Sequence, residues 1–261
     1  MIETIRVEVD GRGVAVLTLA RAEKHNALSA QMLEELTQAA HRLGADDTVR
    51  AVVLTGEGKS FCAGGDLGWM RDQINADAET RRTGARALAS MLEALNSLPK
   101  PVIGRVQGNA FGGGVGLACV CDVTIGVETA RFGLTETRLG LIPATIGPHV
   151  IARMGAAMAR RVFMSARLFG ADEAVTLGIL AQAVPVEDLD AAVEAEVAPY
   201  LACAPGAVAE AKALARALGP KIDSQVIEAS VDALIARWES PEAKEGIAAF
   251  FEKRPASWLR G

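Results

Sequence analysis

Two glycine-rich stretches are the parts of this 261-residue chain best suited to chemistry: Phe61-Cys62-Ala63-Gly64-Gly65-Asp66 and Gly108-Asn109-Ala110-Phe111-Gly112-Gly113-Gly114. Loops of small residues let backbone N–H groups approach a ligand closely and face negative charge as it develops. The second stretch runs into an apolar segment, which places the N–H of Gly113 at the positive end of an expected helix dipole. Gly65 stands just ahead of Asp66, a plausible first-turn acid. One such loop alone reads as a tight turn or a close packing contact. Two in one chain shift the reading toward an oxyanion site.

Other chemistries fit less well. Gly58-Lys59-Ser60 resembles the tail of a phosphate-binding loop, but the upstream glycine of that motif is Val53 here. The run from Gly108 to Gly116 has no glycine triplet at dinucleotide spacing, which disfavours NAD. Cys62, Cys119, Cys121 and Cys203 match no zinc spacing, and His25, His41 and His149 form no paired motif, so neither metal nor disulfide is expected. The net charge of −5 with scattered Lys and Arg gives no footprint for nucleic acid. No apolar run is long enough for a bilayer, and Met1, Ile2, Glu3 and Thr4 do not resemble a basic, apolar leader, so a cytoplasmic protein is expected.

The elements that must position the loops follow from periodicity. Strands are expected at 5–9 and 14–19, joined by Asp10-Gly11-Arg12-Gly13 as a hairpin. Ser29 caps an amphipathic helix carrying Met32, Leu33, Leu36, Ala39, Ala40 and Leu43, with Gly44 as its stop. A buried strand at 49–55 leads toward the first glycine loop, and one at 102–107, bracketed by Pro99 and Pro101, leads into the second. A short buried helix around 117–120 and a strand at 122–127 follow, so the fold class is α/β with a mainly parallel sheet. Segments 189–201, 207–218, 226–238 and 242–251 read as Ala-rich helices whose thin apolar stripes call for packing against the core or another subunit. The expected division is a catalytic core over 1–190 and a helical region over 191–261.

The two loops, in this order and spacing, resemble the signature loops of the crotonase (enoyl-CoA hydratase/isomerase) superfamily. Arg21-Ala22-Glu23-Lys24-His25-Asn26-Ala27-Leu28 and Phe250-Phe251-Glu252-Lys253-Arg254 are also similar, so the resemblance covers nearly the whole chain. It implies a spiral of ββα units with a C-terminal helical region that builds trimers, often paired into hexamers. It also implies an acyl-CoA thioester substrate, with coenzyme A part of the substrate and no separate cofactor.

Residue by residue, the resemblance assigns the thioester oxygen to the N–H groups of Gly65 and Gly113. Ala63, Gly64, Gly65, Asp66, Leu67 and Gly68 are assigned to the adenine and pantetheine arm, and Lys24, with Arg21, to its phosphates, although solvated surface charge suits both cations. Glu136, in Phe132-Gly133-Leu134-Thr135-Glu136, matches a catalytic carboxylate. The sequence departs from the family at Gly116, where hydratases commonly carry a second Glu. Gly114-Val115-Gly116-Leu117 with Leu141-Ile142-Pro143-Ala144-Thr145-Ile146 is similar to bacterial hydratases of the methylglutaconyl-CoA type. The expected activity is hydration of a short or branched 2-enoyl-CoA, with a one-carboxylate isomerase and a silent acyl-CoA binder as alternatives. His149 is a candidate substitute for the missing acid, a helix-start or surface role being the plainer expectation. Trp69 and Met70 are candidates for the wall of an acyl pocket.

Overall fold

The computed structural model describes residues 3–259. Met1 and Ile2, on which the reading of the opening as unlike a leader partly rests, lie outside that range, as do the last two residues of the expected helical region. Strands β1 (Ile5–Val9) and β2 (Val14–Leu19) form the expected antiparallel hairpin, with Ile5 opposite Leu19. Ser29 caps α1 (Ala30–Ala45) by accepting from the Met32 N–H, and the face that α1 buries is the one the period of 3.6 marks. The helix passes through the predicted stop at Gly44, which does not adopt the positive φ of a terminating glycine, and ends against Asp46.

The chain then repeats one unit. Strand β3 (Ala51–Gly56) is followed by the short β4 (Ser60–Cys62) and by helices α2 (Leu67–Asn75) and α3 (Ala78–Asn96). Next come β5 (Val102–Val106), the short β6 (Asn109–Phe111) and α4 (Gly113–Val120). Strands β7 (Val123–Val127) and β8 (Arg131–Gly133) lead to a 3-10 turn at Glu136–Leu139 and to α5 (Gly147–Met154) and α6 (Ala156–Phe163). Strand β9 (Leu168–Gly170), α7 (Ala171–Thr176) and β10 (Gln182–Val184) close this part of the chain.

The long strands build a six-stranded sheet in the order β1-β2-β3-β5-β7-β10, parallel but for β1, while the short ones build a second sheet in the order β4-β6-β8-β9. Each ββα unit therefore advances one place in both sheets at once, which is the spiral the resemblance implies. The β3 run AVVLTG is buried at every position, as a parallel strand covered on both faces must be. Leu17, Leu36, Leu54, Leu92, Leu95 and Ile103 are fully buried around it, each contributing about 1.5–3 kcal/mol of apolar burial.

Four helices follow, α8 (Leu189–Leu201), α9 (Pro205–Leu218), α10 (Ser224–Trp238) and α11 (Pro241–Glu252). They do not behave alike. Helix α8 puts Leu189, Val193 and Val197 into the main core. Helix α10 buries Val231 and Ile235 against Ala85 of α3, and Trp238, Ala243 and Ile247 pack with Leu141 around the turn that carries Glu136. Helix α9 buries no residue and is tied down by Lys212 on Asp122 and Arg216 on Glu93. No helix among the described residues is long and apolar enough to cross a membrane.

Candidate active site

Strands β4, β6 and β8 are adjacent and parallel, with Cys62 opposite Ala110 and Phe111 opposite Gly133. Their C-terminal ends therefore open on one edge, the usual place for ligands on a parallel sheet. From those three ends come the first glycine loop, the second glycine loop and the turn with Glu136. Residues separated by as much as 73 positions in the chain meet because strand order, not sequence distance, decides adjacency.

The two loops are pressed together. A Cβ on Gly64, whose φ is +92°, would lie 2.9 Å from Phe111 O, and one on Gly114 would lie 2.3 Å from Cys62 O. Only glycine admits that approach. The first loop is also laced to β-bridge partners at Leu28: the Leu28 N–H donates to Gly64 O at 2.7 Å, and the Asp66 N–H to Leu28 O at 3.0 Å. No acceptor is found for the Gly65 N–H among the described residues. The Gly113 N–H, at the first position of α4, has none inside its helix and none outside it. Two free donors thus border one cavity of about 460 Å³, which both loops line.

Asp66 is the N-cap of α2 rather than a first-turn residue. Its Oδ1 accepts from the Gly68 and Trp69 N–H groups, and its Oδ2 accepts from Arg21 at 2.9 Å. Burial acts to raise its pKa, but the Trp69 N–H, Arg21 and the Gly68 N–H together outweigh it and hold the carboxyl below its usual range. Arg21 also donates to Ala27 O at 2.7 Å, so its guanidinium is engaged in holding the loops. Asn26, fully buried, donates to Glu57 O and Ser60 O and accepts from the Arg21 N–H. The segment from Arg21 to Leu28 is scaffold for the first loop. Lys24 stays exposed at its outer side.

Glu136 opens the 3-10 turn after β8. Its Oε2 is buried and has no hydrogen-bond partner among the described residues, and burial pushes its carboxyl up to about 7, against only its own N–H. A Cβ on Gly112 would lie 3.1 Å from Glu136 Oε1, which fixes the carboxyl beside the second loop. Arg237 of α10 donates to Gly140 O at 2.9 and 2.6 Å, and α11 packs on the turn, so the C-terminal helices hold it in place. A carboxyl balanced near neutrality, in a cleft with aimed N–H donors, is suited to carrying a proton to and from carbon.

The rest of the wall is largely apolar. Trp69 and Met70 line it as expected, together with Leu88, Leu141, Ile142 and Ile146. Sequence reasoning does not find Leu234, Trp238, Phe250 or Arg138 as wall residues, nor Thr145 as a polar one. The first three come from helices more than 90 positions beyond Glu136 and carry no local signal. His149 sits in the first turn of α5, as the helix-start expectation has it, but not at the surface: it is 3 % exposed, and burial, with help from the Arg216 charge, lowers its pKa to about 4. It does not line the cavity.

The position of the second family carboxylate is filled. A Cβ on Gly116 would lie 2.8 Å from Ile146 Cγ2 and 3.1 Å from Ile146 Cβ. Gly116→Glu is therefore expected to lower stability by about 1–3 kcal/mol through overpacking, read as a drop in urea midpoint, and to be relieved when Ile146→Ala is added. An unchanged midpoint in the single variant would disprove this account of the contact.

A larger hollow of about 1150 Å³ lies between α9 and the core. Its cations are engaged, Arg153 with Cys119 O and Asp122 O, Lys212 with Asp122, Arg216 with Glu93 and Lys221 with Asp223. It offers no free cation to a ligand among the described residues. Among the described residues no group of three or more His, Cys, Asp or Glu is placed to hold a metal ion.

A family model described as enoyl-CoA hydratase/isomerase matches residues 10–260. The crystal structure of an enoyl-CoA hydratase from Shewanella pealeana is similar with a TM-score of 0.81 and 37% identity over 98% of this chain and 96% of that one. That of an enoyl-CoA hydratase from Mycobacterium smegmatis has a TM-score of 0.80 and 34% identity over 99% and 100%. The enoyl-CoA hydratase AKT6-1 of Alternaria alternata is 38% identical over 205 residues, 78% of this chain and 67% of its own length.

Proposed function

The chain belongs to the enoyl-CoA hydratase/isomerase family, and from that premise we propose that it hydrates a short or branched 2-enoyl-CoA with Glu136 as its one acid-base group. The observation that carries the reading is that Glu136, the one carboxyl lining this cavity among the described residues, shares it with two N–H donors without acceptors. The thioester oxygen accepts from the N–H groups of Gly65 and Gly113. Water adds its oxygen to Cβ, its proton passes to ionised Glu136, and the π electrons move onto the thioester as an enolate. Glu136 then gives that proton to Cα, the enolate collapses, and the carboxylate is restored. The enolate oxygen carries nearly a full charge where the thioester carried part of one, so each donor favours the transition state by about 3 kcal/mol.

In the same reading Ala63, Gly64, Asp66, Leu67 and Gly68 hold the coenzyme A arm, Lys24 meets its phosphates and no separate cofactor takes part. A homotrimer or homohexamer in the cytoplasm, and an acyl group of the methylglutaconyl type, complete it. Gly116 favours a second reading, an isomerase in which Glu136 removes a proton at one carbon and returns it at another. Incubation with crotonyl-CoA and with 3-methylglutaconyl-CoA in heavy-oxygen water separates the two. Uptake of solvent oxygen into the product supports the hydratase; double-bond migration without uptake overturns it in favour of the isomerase.

A further inference from the structure

Glu136 Oε2 is not the only buried polar atom without a partner on this cavity. Thr145 is 4 % exposed, and its Oγ1 is fully buried with no hydrogen-bond partner among the described residues. It lines the same cavity as Glu136, Gly65 and Gly113. An unpaired buried hydroxyl is destabilising, and valine has nearly the same shape, so a purely structural site would be better served by an apolar side chain. The backbone here is fixed, since the Ala144 N–H donates to Ile142 O and the Gly147 N–H to Ala144 O. The next residue, Ile146, occupies the space that a side chain at 116 would need. The turn that closes off the second carboxylate position thus also carries an unpaired hydroxyl, on a residue that lines the same cavity.

We propose that Thr145 Oγ1 binds the water that adds to Cβ, and equally the 3-hydroxyl of the product, as the second polar group of a one-carboxylate hydratase. One O–H of the water donates to Glu136 Oε2 and the other to Thr145 Oγ1, leaving an oxygen lone pair for the carbon. Two protein partners are what a buried water requires to be held in a defined orientation. Thr145 takes no proton; the proton lost by water still travels through Glu136 to Cα. This inference rests on the hydratase reading and extends it.

The test uses the purified full chain and its Thr145→Val and Thr145→Ser variants in two assays. Hydration of crotonyl-CoA is followed by heavy-oxygen uptake, and enolate formation alone by exchange of the α-protons of butyryl-CoA with deuterium oxide. Val is expected to lower kcat for hydration roughly 10- to 100-fold with KM changed less than about threefold, and to leave α-exchange within about twofold, since only a bond to water is lost. Ser is expected to keep at least about a third of the parent kcat, because it retains the hydroxyl. Hydration by the Val variant at the parent rate, or equal loss of both activities in it, overturns the inference. If the parent itself takes up no solvent oxygen, the hydratase reading fails and this inference with it, an outcome distinct from the other two.

Discussion

Glu136→Gln is expected to lower turnover on a 2-enoyl-CoA by roughly 10³-fold, within the usual range for loss of a general acid-base group, while the protein stays folded. The amide keeps the shape and cannot accept the proton. The α-proton exchange described above is expected to fall with it, because both reactions pass through the same carboxylate. In the parent protein, the group must be ionised to act in either direction. Its carboxyl titrates at about 7, so kcat/KM is expected to rise with pH below that value and level off above it. A variant that matched the parent's turnover would remove Glu136 from the mechanism.

The same group ties activity to stability. Its carboxyl titrates at about 7 in the folded chain against an ordinary 4.5, so between those values the folded state holds a proton that the unfolded state has released. Folding is then favoured most below 4.5 and loses stability as pH rises through 7, where a buried charge forms without a partner. Glu136→Gln removes that dependence. The variant is expected to be more stable than the parent by on the order of 3 kcal/mol at pH 8 and by less than about 1 kcal/mol at pH 5, measured as denaturant midpoints at the two values. An equal difference at both would show that the carboxyl does not titrate between them.

Gly114→Ala is expected to damage the site without touching a reactive atom. The added Cβ would meet Cys62 O at 2.3 Å and Cys62 C at 3.0 Å. Both are backbone atoms of β4, so no side chain can swing away. The first turn of α4 must shift from β4, and with it the Gly113 N–H shifts relative to Gly65. A displaced oxyanion donor is expected to lower kcat/KM by roughly 10²- to 10³-fold, with a loss of about 1–3 kcal/mol in stability. Gly206→Ala on α9, where nothing lies within 4 Å of the new atom, serves as the control and is expected to leave both unchanged. If Gly114→Ala retained the parent kcat/KM, the apposition of the loops would not matter to catalysis.

Much of this was legible in the chain because the signals are local. Ser29 before an apolar period of 3.6 and two β runs ending in glycine loops act over one or two turns of backbone. The strands at 5–9 and 14–19 and the four C-terminal helices follow from such patterns almost residue for residue. Helices α2 and α3 do not. Their buried positions include Ala85, Ala89, Gln73 and Arg81, too small or too polar to mark an apolar stripe, and Arg81 is buried only because Gln73 O, Ile74 O and Glu239 accept from it.

What the tertiary structure alone decided is which distant groups share the cavity. The family resemblance marks Gly116 as the place of a missing carboxylate, but it cannot show that Ile146 fills the space, or that Thr145 beside it is left with an unpaired hydroxyl. Nor can it show that Trp238 and Phe250 wall a pocket whose acid is Glu136, or that Arg21 is engaged by Asp66. Periodicity and capping report the chain's interaction with its near neighbours, whereas a cavity wall is fixed by strand order and by packing between residues many positions apart.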